Sequence, residues 1–365
     1  MNNVRVNIKN KYIEKFLEMV QINSESSEEK NFINYLNKFF EDEFKAKGII
    51  DDYGNLIIKI PAKNSQCKEP ILFGVHADTV KPGRDIVPIL ENGIIRSKGN
   101  TILGADDKAG ITELYEGIKK AKKYPSIEIV ITREEEIGSI GAKHLDYSLI
   151  KSKKGFVVDG PLGEVIIGGP SRMVIEVNVI GKSAHAGSRP EEGISSIKAA
   201  SYAISILKEG WIDKETNVNV GLINGGSVVN AVPERTTVRI ECRSQSHKKC
   251  LYQTNLIKEV FYTVAKSIGC KIDVKMELSI KAYKISENSE IVQIAKKASE
   301  DVGFKKVKIR VTCGGTDASC YNKKGIKTVV IGVGTKNSHT IDENISIKDM
   351  GKAVNIIRNI LQELS

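Results

Sequence analysis

Five acidic and imidazole side chains, spread along most of the sequence, have the chemistry needed to bind metal ions. Each follows a predicted strand at the point where a loop begins. Two imidazoles and three carboxylates suit two zinc-like ions that share one bridging carboxylate. The set predicts metal-assisted hydrolysis of an amide or peptide bond, with a further glutamate beside it as base. The residues are His76, Asp106, Glu136, Asp159 and His339.

The sequence His76-Ala77-Asp78 follows a short apolar run that is typical of a buried strand. Histidine binds zinc as a neutral imidazole. A carboxylate two residues later can contact the second ring nitrogen, so we expect Asp78 to orient His76. The alternative is a histidine whose hydrogen bonds are satisfied at the end of a strand, and both interpretations stay open at this point.

Asp106 and Asp107 stand between glycines at the predicted start of a helix. A single aspartate there is explained by capping of the helix N-terminus. Two consecutive aspartates exceed what a cap requires, and small neighbours allow a bridging carboxylate to approach two ions closely. We therefore interpret Asp106 as a metal ligand.

Three consecutive glutamates, Glu134, Glu135 and Glu136, follow a second apolar strand. Their mutual repulsion costs stability unless cations or solvent relieve it. One interpretation is a metal-ligand glutamate, Glu136, next to a general-base glutamate, and a solvated acidic turn is the competing interpretation. Taken singly, Asp159 is only a turn signal and His339 only a loop histidine.

The elements that must position these side chains follow an α/β pattern. Two amphipathic helices are predicted within 8–46, with Ser26 and Ser27 as the cap of the second. Short apolar strands then alternate with helices, as in a sheet covered on both faces. Loops at the carboxyl ends of such strands bind ligands, and at least four of them here carry a metal-capable side chain. We predict a mixed-sheet α/β catalytic domain flanked by helices.

The pattern changes near residue 165. Residues 173–180 alternate between apolar and polar side chains, which predicts a half-exposed antiparallel strand. Three further strands and two helices follow before the α/β pattern returns near residue 285. We predict a catalytic metal-binding domain formed by 1–165 and 282–365, with an inserted α+β domain at 166–281.

Composition restricts the class of protein. The chain has 365 residues, with 55 Lys and Arg, 45 Asp and Glu, and a net charge of +10. The lysines are dispersed, so we interpret the charge as a solvated surface rather than a nucleic-acid site. We see no membrane span, no signal-peptide pattern, and no metal or disulfide spacing among the six cysteines. These features predict a cytoplasmic protein without nucleic-acid or membrane partners.

Eight short motifs, taken in order, resemble the dizinc metallopeptidase family that includes peptidase T, aminoacylases and succinyl-diaminopimelate desuccinylase, and peptidase T looks nearest. The motifs are HADTV, GADDKAG, EEEIGSIGA, VVDG, GKSAHAG, NAVPERTTVRIECRS, GGTDAS and NSHT. The ligands that the resemblance implies are His76 and Asp159 for one ion, Glu136 and His339 for the other, and Asp106 as the bridge.

The resemblance also implies roles for the residues around the metal ions. Glu135 would be the general base, and the peptide bond between Asp106 and Asp107 would be cis. The inserted domain would act as a lid and form the interface of a homodimer, in which His185 reaches the active site of the partner. The implied substrate contacts are Asn230, Arg243, Gly315 and Thr316.

Two of these positions also have ordinary explanations, because His185 could be a turn residue and Arg243 an exposed residue of a strand. Departures from peptidase T, such as Glu134 in place of the usual aspartate, leave the ligand set intact but weaken an inference of tripeptide specificity. We predict an aminopeptidase for short peptides with two Zn²⁺ per subunit, for which Co²⁺ or Mn²⁺ could substitute. The alternatives are a deacylase for N-acyl amino acids and a binding protein without activity.

Overall fold

The structure is a computed structural model, and it describes residues 10–365. The helices are α1 (Lys11–Val20), α2 (Lys30–Phe44), α3 (Ala105–Lys120), α4 (Ile140–His144), α5 (Ser196–Ile206), α6 (His247–Ile268), α7 (Glu290–Glu300), α8 (Ala318–Lys323) and α9 (Ile347–Glu363). The strands are β1 (Ile49–Ile50), β2 (Leu56–Ile60), β3 (Ile71–His76), β4 (Pro88–Glu91), β5 (Ile94–Ser97), β6 (Ile127–Thr132), β7 (Lys154–Pro161), β8 (Glu164–Gly169), β9 (Ser171–Ile180), β10 (Gly210–Trp211), β11 (Thr216–Gly225), β12 (Arg235–Ser244), β13 (Lys271–Ile280), β14 (Tyr283–Lys284), β15 (Lys308–Val311), β16 (Lys327–Val333), β17 (Thr335–Lys336) and β18 (Asn344–Ser346).

Two compact units divide the described chain. The first comprises 10–168, 284–310 and 315–365, and the second comprises 169–283 and 311–314. The second unit therefore interrupts the first in sequence. The lid and dimerisation roles that we predict for the inserted region stay predictions.

A mixed sheet forms the centre of the first unit. In the described part of the chain it has nine strands, in the order β1-β2-β6-β3-β7-β16-β8-β14, with β15 beside β8. Strand β3 runs parallel to β6 and β7, and β16 runs parallel to β7. Strand β2 is antiparallel to β6, and β8 is antiparallel to β16. The predicted mixed α/β sheet is confirmed.

The central strands of this sheet are buried on both faces. Every residue of β3 and β6 is buried, and successive side chains of a strand point to opposite faces. Helix α3 contacts α1 and α9 as well as β3 and β7. Tyr321 of α8 packs over Gly74 of β3, where a Cβ atom would come within 2.8 Å of the tyrosine ring. This close packing fixes the carboxyl ends of the parallel strands at one edge of the sheet.

The second unit is a five-stranded antiparallel sheet, in the order β10-β11-β12-β9-β13, that packs against α5 and α6. Strand β9 alternates between buried and half-buried residues, and its buried face joins the core beneath the helices. Strand β10 adds to the four strands that we predicted, because a strand of two residues has no periodicity to read. No helix within residues 10–365 combines the length and apolarity needed to cross a membrane.

Candidate metal centre

Parallel strands bring four of the predicted ligands to one edge of the sheet of the first unit. His76 is the last residue of β3, and Asp159 lies near the end of β7. Glu136 lies in the loop that follows β6, and His339 lies beyond β16, in the loop between β17 and β18. The carboxyl ends of parallel strands form a common edge, so these four positions are neighbours. The fifth residue, Asp106, lies at the start of α3.

Three of these side chains form a tight cluster. One ligand atom each from His76, Asp106 and Glu136 lies within 4.8 Å of the others. Nε2 of His76 lies 3.2 Å from Oδ1 of Asp106. Nε2 of His339 joins the cluster, 2.9 Å from Oε2 of Glu136 and 3.5 Å from Oδ2 of Asp106. Asp106 therefore presents one carboxylate oxygen to each imidazole, as a bridging ligand must.

The interpretation of Asp106 as a simple helix cap is wrong. Gly104 occupies the cap position of α3, so the side chain of Asp106 does not cap this helix. The backbone of Asp106 and Asp107 is not helical, and the peptide bond between them is cis, as the family resemblance implies. The side chain of Asp106 is thus directed to the imidazoles instead of the N–H groups of its own helix.

Asp159 borders the same cluster. It lines a cavity of about 200 Å³ together with Asp106 and Ser338. Burial raises the pKa of Asp159 well above its ordinary value, and the negative charge of Asp106 raises it further. All five residues that we predicted as ligands therefore lie at one site.

The imidazoles and the bridging carboxylate stabilise each other in their charged forms. Burial alone would lower the pKa of His76, but hydrogen bonds with Asp106 and Asp78 keep it well above normal. Hydrogen bonds to Asp106 and Glu136 raise the pKa of His339 to about 10. Burial opposes the ionisation of Asp106, yet its contacts with the two imidazoles hold its pKa well below the ordinary value. Metal ions would have to displace protons from these imidazoles.

The donor set fits divalent metal ions. Imidazole nitrogens and carboxylate oxygens are preferred ligands of Zn²⁺. Oε1 of Glu136 is buried and, within the described residues, makes no hydrogen bond. A buried carboxylate oxygen without a partner costs free energy, and a bound cation would remove that cost.

Comparison with known proteins identifies the family. Residues 72–363 match the model for peptidase family M20/M25/M40. The chain belongs to this family. YqjE of Bacillus subtilis is 36% identical over 364 residues, which cover 96% of this chain and 97% of that protein. The solved structure of aminopeptidase PepT from Bacillus cereus has a TM-score of 0.86 and 35% identity, and covers 97% of this chain and 98% of that one. A tripeptidase from Staphylococcus aureus has a TM-score of 0.89 and 32% identity, with 97% of each chain covered.

Glu135 lies beside the cluster in this M20 chain. Oγ of Ser139 donates a hydrogen bond to its Oε1 at 3.2 Å. Burial raises the pKa of Glu135 well above its ordinary value; the charge of His76 opposes this shift, whereas that of Asp317 adds to it.

Asp78 contacts more of the site than we predicted. Nδ1 of His76 lies 3.0 Å from its main-chain oxygen and 3.4 Å from its Oδ1. Its carboxylate oxygens also accept the main-chain N–H groups of Glu135 at 2.9 Å and Glu136 at 3.1 Å. Oγ of Ser26 donates to the same carboxylate at 2.8 Å. Asp78 therefore holds the acidic turn as well as the imidazole.

Ser26 and Ser27 have roles that we did not predict from the sequence. We predicted them as the cap of α2, but α2 begins after Glu29 and has no side-chain cap. Ser26 donates to Asp78, and Ser27 donates to Glu134, because the loop before α2 runs beside the acidic turn. These pairs are 52 and 107 positions apart in the sequence, a separation for which no local pattern exists. Glu343, which accepts hydrogen bonds at the start of α3, was missed for the same reason.

The second unit carries His185 and Asn230, which lie side by side. Both are exposed, and the main-chain N–H of Ala186 donates to the carbonyl of Asn230 at 3.0 Å. Gly315 and Thr316 belong to the first unit, in the loop before α8, and Thr316 is buried.

Arg243 of β12 is half-buried, so its interpretation as an exposed strand residue is wrong. Its Nε donates to Glu241, and its Nη1 donates to the carbonyl of Cys313 at 3.2 Å. Arg172 also donates to Glu241. One carboxylate therefore lies between two guanidinium groups, which leaves this part of the second unit with a net positive charge.

Proposed function

We propose that this chain is a metal-dependent aminopeptidase that hydrolyses short peptides. The observation that carries the proposal is the cluster of His76, Asp106 and Glu136, joined by His339, with the buried Glu135 beside it. Two solved relatives, an aminopeptidase and a tripeptidase, support peptides as the substrate class. The match to the family model spans residues 72–363, a range that includes every residue of the cluster.

The proposed ligands divide between two ions. When bound, two divalent ions supply a water of lowered pKa and a Lewis acid for the scissile carbonyl. We propose Zn²⁺ because two imidazoles and three carboxylates suit it, although Co²⁺ or Mn²⁺ would find the same donors acceptable. The proposed ligands are His76 and Asp159 for one ion, Glu136 and His339 for the other, and Asp106 for both.

Glu135 would act as the general base. It would accept a proton from the attacking water and release it to the leaving amine of the peptide. The hydrogen bond from Ser139 and the contact between Asp78 and the main chain of Glu135 restrict the position of this carboxylate. A fixed base loses little conformational entropy when the reaction begins.

The second unit would supply further groups through a homodimer. Exposed apolar side chains on this unit, including Trp211, Leu222 and Val229, support a subunit interface there. In such a dimer, His185 would donate a hydrogen bond to the oxyanion in the partner's active site, a contact typically worth about 10²–10³ in rate. The proposed substrate contacts are Asn230, Arg243, Gly315 and Thr316.

A substrate panel tests the proposed function. Protein freed of metal with a chelator is reconstituted with Zn²⁺, Co²⁺ or Mn²⁺ and assayed with unblocked tripeptides and with N-acetyl and N-succinyl amino acids. We expect metal-dependent release of the N-terminal residue from the tripeptides. Faster hydrolysis of the N-acyl amino acids would favour the deacylase, and metal binding without turnover of either class would favour a binding protein. The cytoplasmic location and the absence of nucleic-acid partners stay predictions.

A further inference from the structure

Glu343 is a buried carboxylate behind the proposed bridging ligand. Glu343 as a whole is only 1% exposed. Oε2 accepts the main-chain N–H of Gly104 at 2.7 Å, and Oε1 accepts that of Asp106 at 3.0 Å. Both oxygens are therefore occupied by the backbone that leads into α3.

The two hydrogen bonds require a carboxylate at this position. An ionised carboxyl group is an acceptor at both oxygens, whereas the amide of glutamine offers one acceptor and one donor. Hydrogen bonds from N–H groups to a charged oxygen are stronger than those between neutral groups. Burial of a negative charge costs free energy, and the two N–H groups offset part of that cost.

Glu343 also belongs to the loop that carries His339. The main-chain N–H of Glu343 donates to the carbonyl of Thr340 at 3.1 Å, which closes a turn directly after the imidazole. At one end of this turn, the imidazole of His339 contacts the carboxylate of Asp106. At the other end, the carboxylate of Glu343 accepts the main-chain N–H of Asp106. The relative position of these two ligands therefore depends on the contacts of a single side chain.

The same arrangement recurs at the other two members of the cluster. The main-chain N–H of His76 donates to Oδ2 of Asp107 at 3.2 Å. The main-chain N–H of Glu136 donates to Oδ2 of Asp78 at 3.1 Å. In each case a buried carboxylate from a different segment holds the backbone of a candidate ligand. The recurrence indicates a common means of fixing ligands that lie far apart in the sequence.

We propose that Glu343 is a positioning residue for the metal centre. It fixes the backbone of Asp106 relative to His339, so that the carboxylate of Asp106 meets both imidazoles. This inference rests on the proposed function, because it concerns metal ions bound by these residues. A purely structural role, in which Glu343 only stabilises the start of α3, is the competing explanation.

Glu128 provides a matched control. It is 3% exposed, and its Oε2 accepts the main-chain N–H groups of Lys151 and Ser152 at 2.9 Å each. It lies four residues before the end of β6, roughly 13 Å along the strand from the edge that carries the cluster. Its Oε1 accepts the main-chain N–H of Lys151 at 3.1 Å and pairs with Nζ of Lys59 at 3.6 Å, so an amide group in place of this oxygen should disturb comparable contacts without disturbing the metal ligands.

The experiment compares Glu343→Gln and Glu128→Gln with the wild-type protein. The dissociation constants for Zn²⁺ are measured by competition with a chromophoric chelator, the absorption spectrum is recorded with bound Co²⁺, and melting temperatures are measured without metal. We expect Glu343→Gln to raise the Kd of at least one ion by about tenfold or more and to change the Co²⁺ spectrum. Glu128→Gln should lower the melting temperature but keep Kd within about threefold of the wild type.

Equal Kd values and equal Co²⁺ spectra for the two variants would overturn the inference and leave Glu343 with a structural role. If Glu343→Gln does not fold, Glu343→Asp keeps the charge but shortens the side chain by one methylene, and the same criterion applies to it. A wild-type protein that binds no pair of ions would instead contradict the proposed function. Because the wild type and the variant are measured separately, the two failures are distinguishable.

Discussion

At the scale of single residues, adjacent carboxylates in this site have different partners. Asp106 faces the imidazoles, whereas Asp107 accepts the main-chain N–H of His76. Glu136 belongs to the cluster of candidate ligands, whereas Glu135 accepts a hydrogen bond from Ser139, which lies outside that cluster. Residue type cannot distinguish the members of such a pair, because both are carboxylates. The direction of each side chain from the main chain separates a ligand from its neighbour.

Replacement of Glu135 by glutamine should separate metal binding from turnover. Glutamine has nearly the same size, so the ligands next to it keep their positions, but its amide cannot accept the proton of the attacking water. We expect kcat to fall by about 10²–10⁴, the usual contribution of a general base. Metal analysis and peptide assays on the same preparation measure both quantities.

Glu134→Gln is the neighbouring control. Glu134 accepts hydrogen bonds from Ser27 and Tyr53 and lies outside the proposed ligand set. Its variant should retain kcat within about tenfold of the wild type, since it leaves the proton-accepting group in place. Unimpaired turnover by Glu135→Gln would refute the assignment of the base.

At the scale of elements, long periodic segments were predictable and short or distant ones were not. The apolar runs of β3 and β6 and the periodicity of α1 indicated their structure directly. Strand β10 and the small sheet of β17, β18, β5 and β4 consist of two to four residues per strand, too few for a pattern. The positions of Ser26 and Glu343 were also hidden, because tertiary contacts between distant segments determine their partners.

The candidate site shows the same division. The types and order of the five proposed ligands predicted their convergence, because parallel strands bring their carboxyl ends together and four of the five follow strands. Sequence order could not show that Glu343, which follows His339, accepts a hydrogen bond from the backbone of Asp106. Nor could it show that Asp78 contacts the acidic turn as well as His76. These contacts depend on the packing of loops, which a single sequence does not encode in any local form.

Helix α3 contains a buried glutamate, Glu113. Its replacement should stabilise the folded protein more at high pH than at low pH. Glu113 is fully buried, and burial raises its pKa well above the ordinary value, an effect to which the negative charge of Asp107 adds. Above the ordinary pKa of a glutamate, the unfolded chain loses this proton while the folded chain keeps it. The stability of the folded state therefore decreases with increasing pH through this range.

Glu113→Gln removes this titration. We subtract the melting temperature of the wild type from that of Glu113→Gln at each pH. This difference should be more positive at pH 8 than at pH 5, as measured by thermal unfolding in the presence of a chelator. Glu116 lies on the same helix, is only half-buried and pairs with Lys120 at 3.2 Å. Glu116→Gln should change the melting temperature by the same amount at both pH values. A pH-independent difference for Glu113→Gln would show that Glu113 is ionised in the folded protein.

At the scale of the whole molecule, the proposed homodimer makes a prediction about catalysis across subunits. His185→Ala and Glu135→Gln should each be inactive alone, because each lacks one group of the proposed site. If His185 acts on the partner's site, a mixed dimer contains one site with both groups intact. Random pairing of equal amounts should then recover about a quarter of the wild-type activity.

The measurement is a peptide assay after the two variants are unfolded together and refolded, with each variant treated alone in parallel. Size-exclusion chromatography of the mixture reports whether dimers form. Dimers without recovered activity would indicate that His185 acts within its own chain or outside catalysis, since neither site of a mixed dimer would then be complete.

The segment order of the first unit also affects when the pocket is completed during biosynthesis. Four of the five proposed donors and Glu135 precede the second unit, whereas His339 and Glu343 follow it. Synthesis proceeds from the N-terminus, and domains fold as they emerge. A nascent chain therefore exposes the base and most of the donors before the imidazole opposite Glu136 has been translated. A chain whose synthesis has stopped before residue 339 would therefore lack one of the five proposed donors.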